Sequence, residues 1–298
     1  MPNNYDGVVR EFWREKFRAL PDGARILDIA TGNGAIASLA AELGEDKGSH
    51  FAIFGSDLAA INEQIVGDES AARLRDRIEF PSNTPCEKQP FENDSFDLVA
   101  SQFGFEYSDT GATLIEVRRV LANGGRFIAI CHHADSELIK AASRELEVYQ
   151  FALGELDLFG RARDLLGALG DLTRSTKHVA TSMKQAEPLS RAVNTAIDEL
   201  RRRFPSEECA NDMVAAISHL AAGARQATKQ ERLTAVSAAT ADFTLAQARL
   251  QDMAGAALDQ QQVEMLNVRA REAGFESVHC LKLYGGDSHL AGWQLHLR

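Results

Sequence analysis

From Leu27 to Gly34 the chain reads LDIATGNG, an apolar run that ends in an acidic residue, Asp28, and then two glycines one residue apart, Gly32 and Gly34. Glycine leaves room where a backbone must pass close to a ligand, because a Cβ there would take the ligand's space. The run ARIL before the loop and AIASLAAEL after it have strand and helix character, so strand, glycine turn and helix open a βα unit of the nucleotide-holding kind. Asp57 closes the next apolar run, HFAIFGSDLA, where a carboxylate can accept paired hydrogen bonds from a diol. Two more clusters follow later strands: Gln102, Phe103, Glu106 and Tyr107 after SFDLVASQF, and His132 and His133 at the end of RFIAICHH. Ligands of open α/β sheets lie at the carboxyl ends of the strands, so these clusters sit where a second substrate would. A histidine there can serve as general base for a hydroxyl or phenol, and Glu106 can orient a polar group. Each has a plainer reading. A histidine at a strand mouth can make structural hydrogen bonds only, Glu106 can be a solvated loop charge, and Asp57 can cap the following helix.

The elements that position these residues follow from spacing. A first helix spans about 5–20, with Val8, Phe12, Phe17 and Leu20 near one face, and Pro21-Asp22-Gly23 stops it. Strand RILDIA, a helix over 35–43, the strand ending at Asp57, a polar helical stretch over 59–75 and strand RIEF follow in order. PSNTPCEKQPFENDS is a turn-rich loop; SFDLVASQF is a fourth strand, ATLIEVRRVLA a helix, NGG its closing turn, and RFIAICHH a fifth strand. Strands alternating with helices imply a parallel sheet covered on both faces. From 136 to 258 helical spacing takes over, as in Leu138, Ala142, Leu146, Tyr149 and Leu153, with Pro188 and Pro205 expected at helix boundaries. The α/β pattern resumes at 259 with helix QQVEMLNVRAREAGF, closed by Gly274, and a hairpin made of ESVHCLKLYG and HLAGWQLHLR. The expected fold is thus α/β, a Rossmann-like doubly wound, mostly parallel seven-stranded sheet from 1–135 and 259–298. A helical insertion over 136–258 follows the fifth strand.

Composition narrows the partners. A net charge of −11 disfavours nucleic acid as the main partner. The four cysteines are scattered without a CxxC, which fits reduced thiols and suggests no metal site. The polar N-terminus lacks a signal-peptide core and no run would span a bilayer, so the expected location is cytoplasmic.

Four features in order resemble class I S-adenosylmethionine-dependent methyltransferases. They are LDIATGNG, Asp57 in FGSDLA, PFENDSFDLVASQFGFEY, and EVRRVLANGGRF; the closing pattern AGFESVHC…AGWQLH is similar too. The resemblance omits 136–258. It implies S-adenosylmethionine held by Asp28, Ala30, Thr31, Gly32, Asn33 and Gly34, with Asp28 beneath the amino-acid end and Asp57 on the ribose beside Leu58. Asn83 and Thr84 would meet the adenine, and Ser101, Gln102 and Phe103 are further cofactor-binding candidates. Ala30 departs from the family, which commonly has glycine there, and the loop around Asn83 is longer than usual. GNGAIA also fits the GxGxxA dinucleotide fingerprint, but that form leaves SFDLVAS and VLANGGRF unexplained. The activity implied is methyl transfer to oxygen or nitrogen of a small molecule. His132, His133 and Glu106 are catalytic candidates, and Tyr5, Trp13, Tyr107 and Phe151 substrate-side candidates. Trp13 is equally explained by packing of the first helix. The insertion would serve as lid, substrate subdomain or homodimer interface, with Phe159, Arg161 and Arg163 as further lining candidates. Two alternatives stand beside this reading: a protein or RNA methyltransferase docking through the insertion, and a non-catalytic cofactor-binding assembly protein.

Overall fold

The structure, a computed structural model, describes residues 7–59, 77–81, 83–169, 176–224 and 226–298. The expected helical stretch over 59–75 and the candidate Tyr5 fall almost wholly outside them.

Seven strands form one sheet: β1 (Arg25–Ile29), β2 (Ala52–Ser56), β3 (Ile78–Glu79), β4 (Phe96–Gln102), β5 (Leu121–Cys131), β6 (Val278–Tyr284) and β7 (Leu290–Leu297). Their order is β3-β2-β1-β4-β5-β7-β6. The pairings β1–β2, β1–β4, β2–β3 and β4–β5 are parallel; β7 runs antiparallel to β5 and to β6. The strand order reverses between β1 and β4, the topological switch point at which such sheets hold ligands.

Consecutive strand residues point to opposite faces, and here both faces are covered, so after the exposed Arg25 the rest of β1 is buried and apolar except for Asp28. Ile26 joins Phe12, Trp13, Leu39, Ile53 and Leu98 on one face. Leu27 joins Phe96, Val117, Phe127, Leu266 and Leu295 on the other. The first face is closed by α1 (Gly7–Arg18), which buries Phe12, Trp13 and Phe17, and by α2 (Ala35–Lys47). The second is closed by α3 (Thr110–Val120), which buries Leu114 and Val117, and by α9 (Gln260–Glu272), which buries Val263 and Leu266. A capping box of Asp259 and Gln262 starts α9, and Gly274 lies just past its end at φ 95°.

The NGG segment departs from expectation. It is no separate turn but part of β5, which starts at Leu121 and shifts register against β4 between Phe96 and Leu98. A bulge of this kind absorbs extra residues without ending the strand. Gly124 takes φ 81°, and a Cβ on Gly125 would stand 2.8 Å from the Phe96 carbonyl.

Contacts divide the chain into two compact units, Met1–Ile139 with Ala256–Arg298, and Lys140–Gly255. Helix α4 (Glu137–Tyr149) leads into the second, which continues with a π-helical turn (Gln150–Glu155), α5 (Leu158–Ala168), α6 (Thr176–Arg203), α7 (Glu208–Gly223) and α8 (Lys229–Ala256). Its core gathers Val148, Phe151, Phe159, Leu200, Met213 and Ile217. Buried Arg232 donates to the Leu166, Ala224 and Ala227 carbonyls, satisfying helix-end acceptors. Pro188 lies inside α6 and not at a boundary; a helix of 28 residues tolerates the one lost N–H bond. Ala142 and Tyr149 of the expected inward face are buried, but Leu138 is exposed and Ile139 is buried instead.

In the first unit, the backbone that leaves β5 meets the backbone that returns. Leu258 N donates to the His132 carbonyl at 2.9 Å, and Ala134 N to the Leu258 carbonyl at 3.0 Å. The exit and re-entry points of the helical segment are therefore adjacent.

Candidate active site

The loop between β1 and α2 alternates left-handed residues: Ala30 at φ 51°, Gly32 at 56° and Gly34 at 80°. Glycine takes this conformation freely; alanine does not, which gives a physical reason for a glycine at position 30 in similar loops. The Ala30 methyl instead has room because residue 104 is glycine. A Cβ on Gly104 would lie 2.5 Å from the Ala30 Cβ.

Asp28 is buried beneath this loop. It accepts from the Thr31 hydroxyl at 2.5 Å and from the Ala37 backbone N–H, so it ties the loop to the first turn of α2. Burial raises its pKa to about 7, against the lowering effect of those two donors, and nearby Asp57 adds to the rise. The Thr31 N–H donates to the Ser56 carbonyl at 3.0 Å, tying the loop to β2.

Asp57 follows β2 directly. Its Oδ2 accepts from Gly32 N at 2.8 Å and its Oδ1 from Ala59 N at 2.9 Å. A carboxylate has about four acceptor positions, so two remain. Both proposed roles meet here, since Asp57 caps local backbone and still has lone pairs for a ligand. Leu58 beside it is 69% exposed, an apolar side chain left open at the strand mouth. Thr84 N donates to the Asp57 carbonyl at 2.8 Å, which brings the loop after β3 to the same place; Asn83 is exposed there with φ 55°.

Phe80 is a site residue that spacing did not reveal. A Cβ on Gly34 would come within 2.9 Å of its ring and one on Gly55 within 2.8 Å. The signal was Gly55, two residues before Asp57, where a strand would otherwise carry a side chain. The open side of the loop is at Gly32, where an added Cβ meets nothing within 4 Å.

On the other side of the switch point, the Ser101 hydroxyl donates to the Ile29 carbonyl at 3.0 Å and accepts from Phe105 N at 3.1 Å. This clamps the β4 exit to the β1 exit. Gln102 Oε1 accepts from the Trp13 indole N–H at 2.5 Å, so Trp13 is a fully buried anchor of α1. Phe103, left-handed at φ 51°, stacks on the His132 ring at 4.4 Å and 8°. Tyr107, about half exposed, stands edge-on to His132 at 6.2 Å. Glu106 is not a solvated loop charge. It is buried, and its Oε1 accepts from His132 N at 2.7 Å. Burial raises its pKa to about 7 and lowers that of His132 to about 4. His133 turns to the opposite face, where its ring stacks on Trp293 at 4.4 Å and its Nδ1 accepts from Asp135 N.

The sheet thus brings Asp28, the 30–34 loop, Asp57, Leu58, Asn83, Thr84, Ser101, Gln102, Phe103, Glu106, Tyr107 and His132 to one edge. Phe151 belongs elsewhere: it is core of the helical unit, with Arg203 over its ring at 4.2 Å. Phe159 is likewise buried there.

The family model for the ubiE/COQ5 methyltransferase family matches residues 8–158. The chain belongs to that family. It is similar to the ubiquinone/menaquinone biosynthesis C-methyltransferase UbiE of Geobacter sulfurreducens, 33% identical over 132 residues, which are 42% of this chain and 48% of that one. The corresponding protein of Geotalea daltonii is 34% identical over 128 residues, 42% of this chain and 52% of its own. The chain spans about half the length of the relatives it matches. A solved S-adenosylmethionine-dependent methyltransferase from Mesorhizobium loti is 27% identical over 40% of this chain and 53% of its own, at a TM-score of 0.30, which adds nothing to the sequence match. Family membership places the chain among class I S-adenosylmethionine-dependent methyltransferases, whose cofactor is S-adenosylmethionine. It also removes the dinucleotide reading of GNGAIA. Among the described residues no helix is long and apolar enough to cross a membrane.

Proposed function

We propose that this chain transfers a methyl group from S-adenosylmethionine to a proton-bearing oxygen or nitrogen of a small molecule. The observation that carries the reading is the edge built from β1, β2 and β4. It combines an open left-handed glycine loop, a buried carboxyl beneath it, and a carboxylate with acceptor positions to spare. That donor set fits the group. The Gly32 side leaves space for the methionine part, Asp57 can take a ribose diol, and Leu58 offers apolar cover beside it.

When bound, the cofactor supplies a methyl on a positively charged sulfur, open to in-line displacement. This chain's part is to hold, orient and exclude water. Ser101 fixes the β4 exit against the β1 loop, so the two halves of the site keep one spacing. Phe103 and the His132 ring form a flat stacked wall, and Tyr107 stands beside it. The helical unit, inserted between β5 and α9, is proposed to shape the acceptor site or join two copies, from its place in the chain.

A carbon acceptor is the second reading, favoured by the C-methyltransferase names of the relatives. The first test is calorimetric titration with S-adenosylhomocysteine and NAD side by side, where one equivalent of the first and none of the second is expected. Binding of NAD alone, or of neither, would refute the reading. Transfer from carbon-13 methyl-labelled cofactor into small-molecule extracts would then separate O-, N- and C-methyl products by chemical shift.

A further inference from the structure

We propose that the hollow at the start of β5 binds a phosphate group, at the end of the sheet away from the candidate active site. The proposal is independent of the cofactor reading above.

A cavity of about 350 Å³ lies between the end of α3, the bulged start of β5 and the junction of α9 with β6. Pockets for small ligands run from about 300 to about 1,000 Å³, so the size suits one. The bulge forms one wall. Between the pairs Phe96–Leu121 and Leu98–Arg126, Asp97 alone on β4 faces residues 122–125 of β5. Pairing with β4 does not need these extra residues, and bulges are over-represented beside functional sites.

Two arginines border the hollow. Arg298 Nη2 stands 3.7 Å from where a Cβ on Gly124 would be, and Arg118 Cγ 4.0 Å from where one on Gly274 would be. Neither guanidinium has an ion pair or a hydrogen bond among the described residues; nor has the Ser277 hydroxyl or the Asn123 amide, on the same lining. The main chain around them is already engaged. Glu276 N and Ser277 N donate to the Arg298 carbonyl, and Phe275 N to that of Ala270. The side chains are what is left to hold a ligand. One carboxylate, Glu276, shares the lining, while Asp97 is taken up by Arg25 N at 2.8 Å.

A guanidinium is always charged, and its planar fork of N–H donors matches phosphate oxygens. A carboxylate ligand would bring two oxygens and one charge. A phosphate group brings three oxygens and nearly two charges, which better matches two guanidiniums with a hydroxyl and an amide beside them. A lone exposed arginine such as Arg201 is satisfied by water; two on one hollow gain when a single anion meets both. From this end β5 runs 11 residues to Cys131, next to His132. At about 3.3 Å per residue that is roughly 30 Å, so a ligand here takes no part in methyl transfer.

Calorimetric titration of the full chain with inorganic pyrophosphate, and sedimentation with vesicles of phosphatidic acid in phosphatidylcholine, test the site. One equivalent of pyrophosphate should bind. The double variant Arg118→Ala with Arg298→Ala should weaken binding about tenfold or more, and Arg201→Ala by less than about twofold. Glu276→Gln should tighten it, since a like charge is removed. Vesicle binding without pyrophosphate binding, lost in the double variant and kept in Arg201→Ala, would make a lipid headgroup the source of the phosphate. Binding of neither, or binding that survives the double variant, overturns the proposal. S-adenosylhomocysteine affinity should be the same in the double variant and in wild type; a parallel loss overturns the distal placement. If the double variant does not fold, phenylglyoxal labelling of wild type, read by mass spectrometry, decides. Pyrophosphate or the vesicles must protect Arg118 and Arg298 and leave Arg201 reactive; equal labelling of all three overturns the proposal.

Discussion

Gly104→Ala isolates the contact on which the cofactor loop rests. The new Cβ would stand 2.5 Å from the Ala30 Cβ and 3.1 Å from its carbonyl oxygen. Carbon atoms in good contact sit about 3.5–4.0 Å apart, so about 1 Å or more must be found by moving backbone. The Ser101 hydroxyl, 3.4 Å from the same point, holds both strand exits and resists that movement. Overpacking of this size costs about 1–3 kcal/mol, and about 2–4 °C of melting temperature per kcal/mol in chains somewhat smaller than this one. The strain falls on Ala30, so S-adenosylhomocysteine affinity should drop along with stability. Ala30→Gly removes the clashing methyl and relieves a left-handed alanine, while the unfolded chain gains about 0.4–1 kcal/mol of entropy. Alone it should therefore change stability by less than about 1 kcal/mol. Combined with Gly104→Ala it should recover more than half of both losses, by differential scanning calorimetry and by titration. A Gly104→Ala protein with unchanged melting and affinity, or a double variant worse than either single one, would refute the packing argument.

Three further outcomes follow from the same edge. Asp57→Ala removes the acceptor for Gly32 N and Ala59 N together with the proposed ribose contact. It should weaken S-adenosylhomocysteine binding about tenfold or more without unfolding the chain, and unchanged affinity by calorimetry would make Asp57 a cap only. Gly32→Val puts a branched side chain into the open space above the loop at φ 56°; titration should show binding abolished in a protein that still melts cooperatively, and normal binding would misplace the loop. Asp28, with a folded pKa raised from 3.8 to about 7, holds its proton more tightly in the folded chain, so its stabilising effect is complete below about pH 4 and is lost as pH rises towards 7. Glu106 acts in the same direction and His132 in the opposite one, so the comparison is with Asp28→Asn. The urea midpoint of Asp28→Asn relative to wild type should climb between pH 4 and 7 and level off above; a flat difference would mean that Asp28 is solvated.

Periodicity was enough for the central strands of the sheet because they are buried on both faces. RILDI, FDLVASQ and RFIAIC carry apolar side chains at neighbouring positions and so on both faces, without strict alternation. It failed where one residue of phase decides the answer. Ile139 and not Leu138 faces inward at the start of α4, where two adjacent apolar residues fit the period equally well. Pro188 reads as a boundary because a proline shows its cost in sequence, while the packing that offsets it, from the core holding Val193, Ala196 and Leu200, is long-range. The NGG segment has turn composition, but β4 supplies partners on one side that convert it into a bulged strand start.

The site divides in the same way. Asp28, Gly32, Gly34 and Asp57 were legible because each depends on its own backbone conformation or its place at a strand end. Phe80, Gly104 and the burial of Glu106 were not, because each is defined by a residue far away in sequence. Phe80 matters through Gly34 and Gly55, Gly104 through Ala30, and Glu106 through His132. The Ala30 departure shows the two kinds of information meeting. From sequence alone, alanine where similar loops have glycine looks like a weakened cofactor loop. In the fold, the extra methyl is matched by a missing one at Gly104, just past the strand β4 whose exit carries Glu106. The pair belongs to both loops, so a change made on the acceptor side is felt by the cofactor loop, and the rescue expected of Ala30→Gly measures that link.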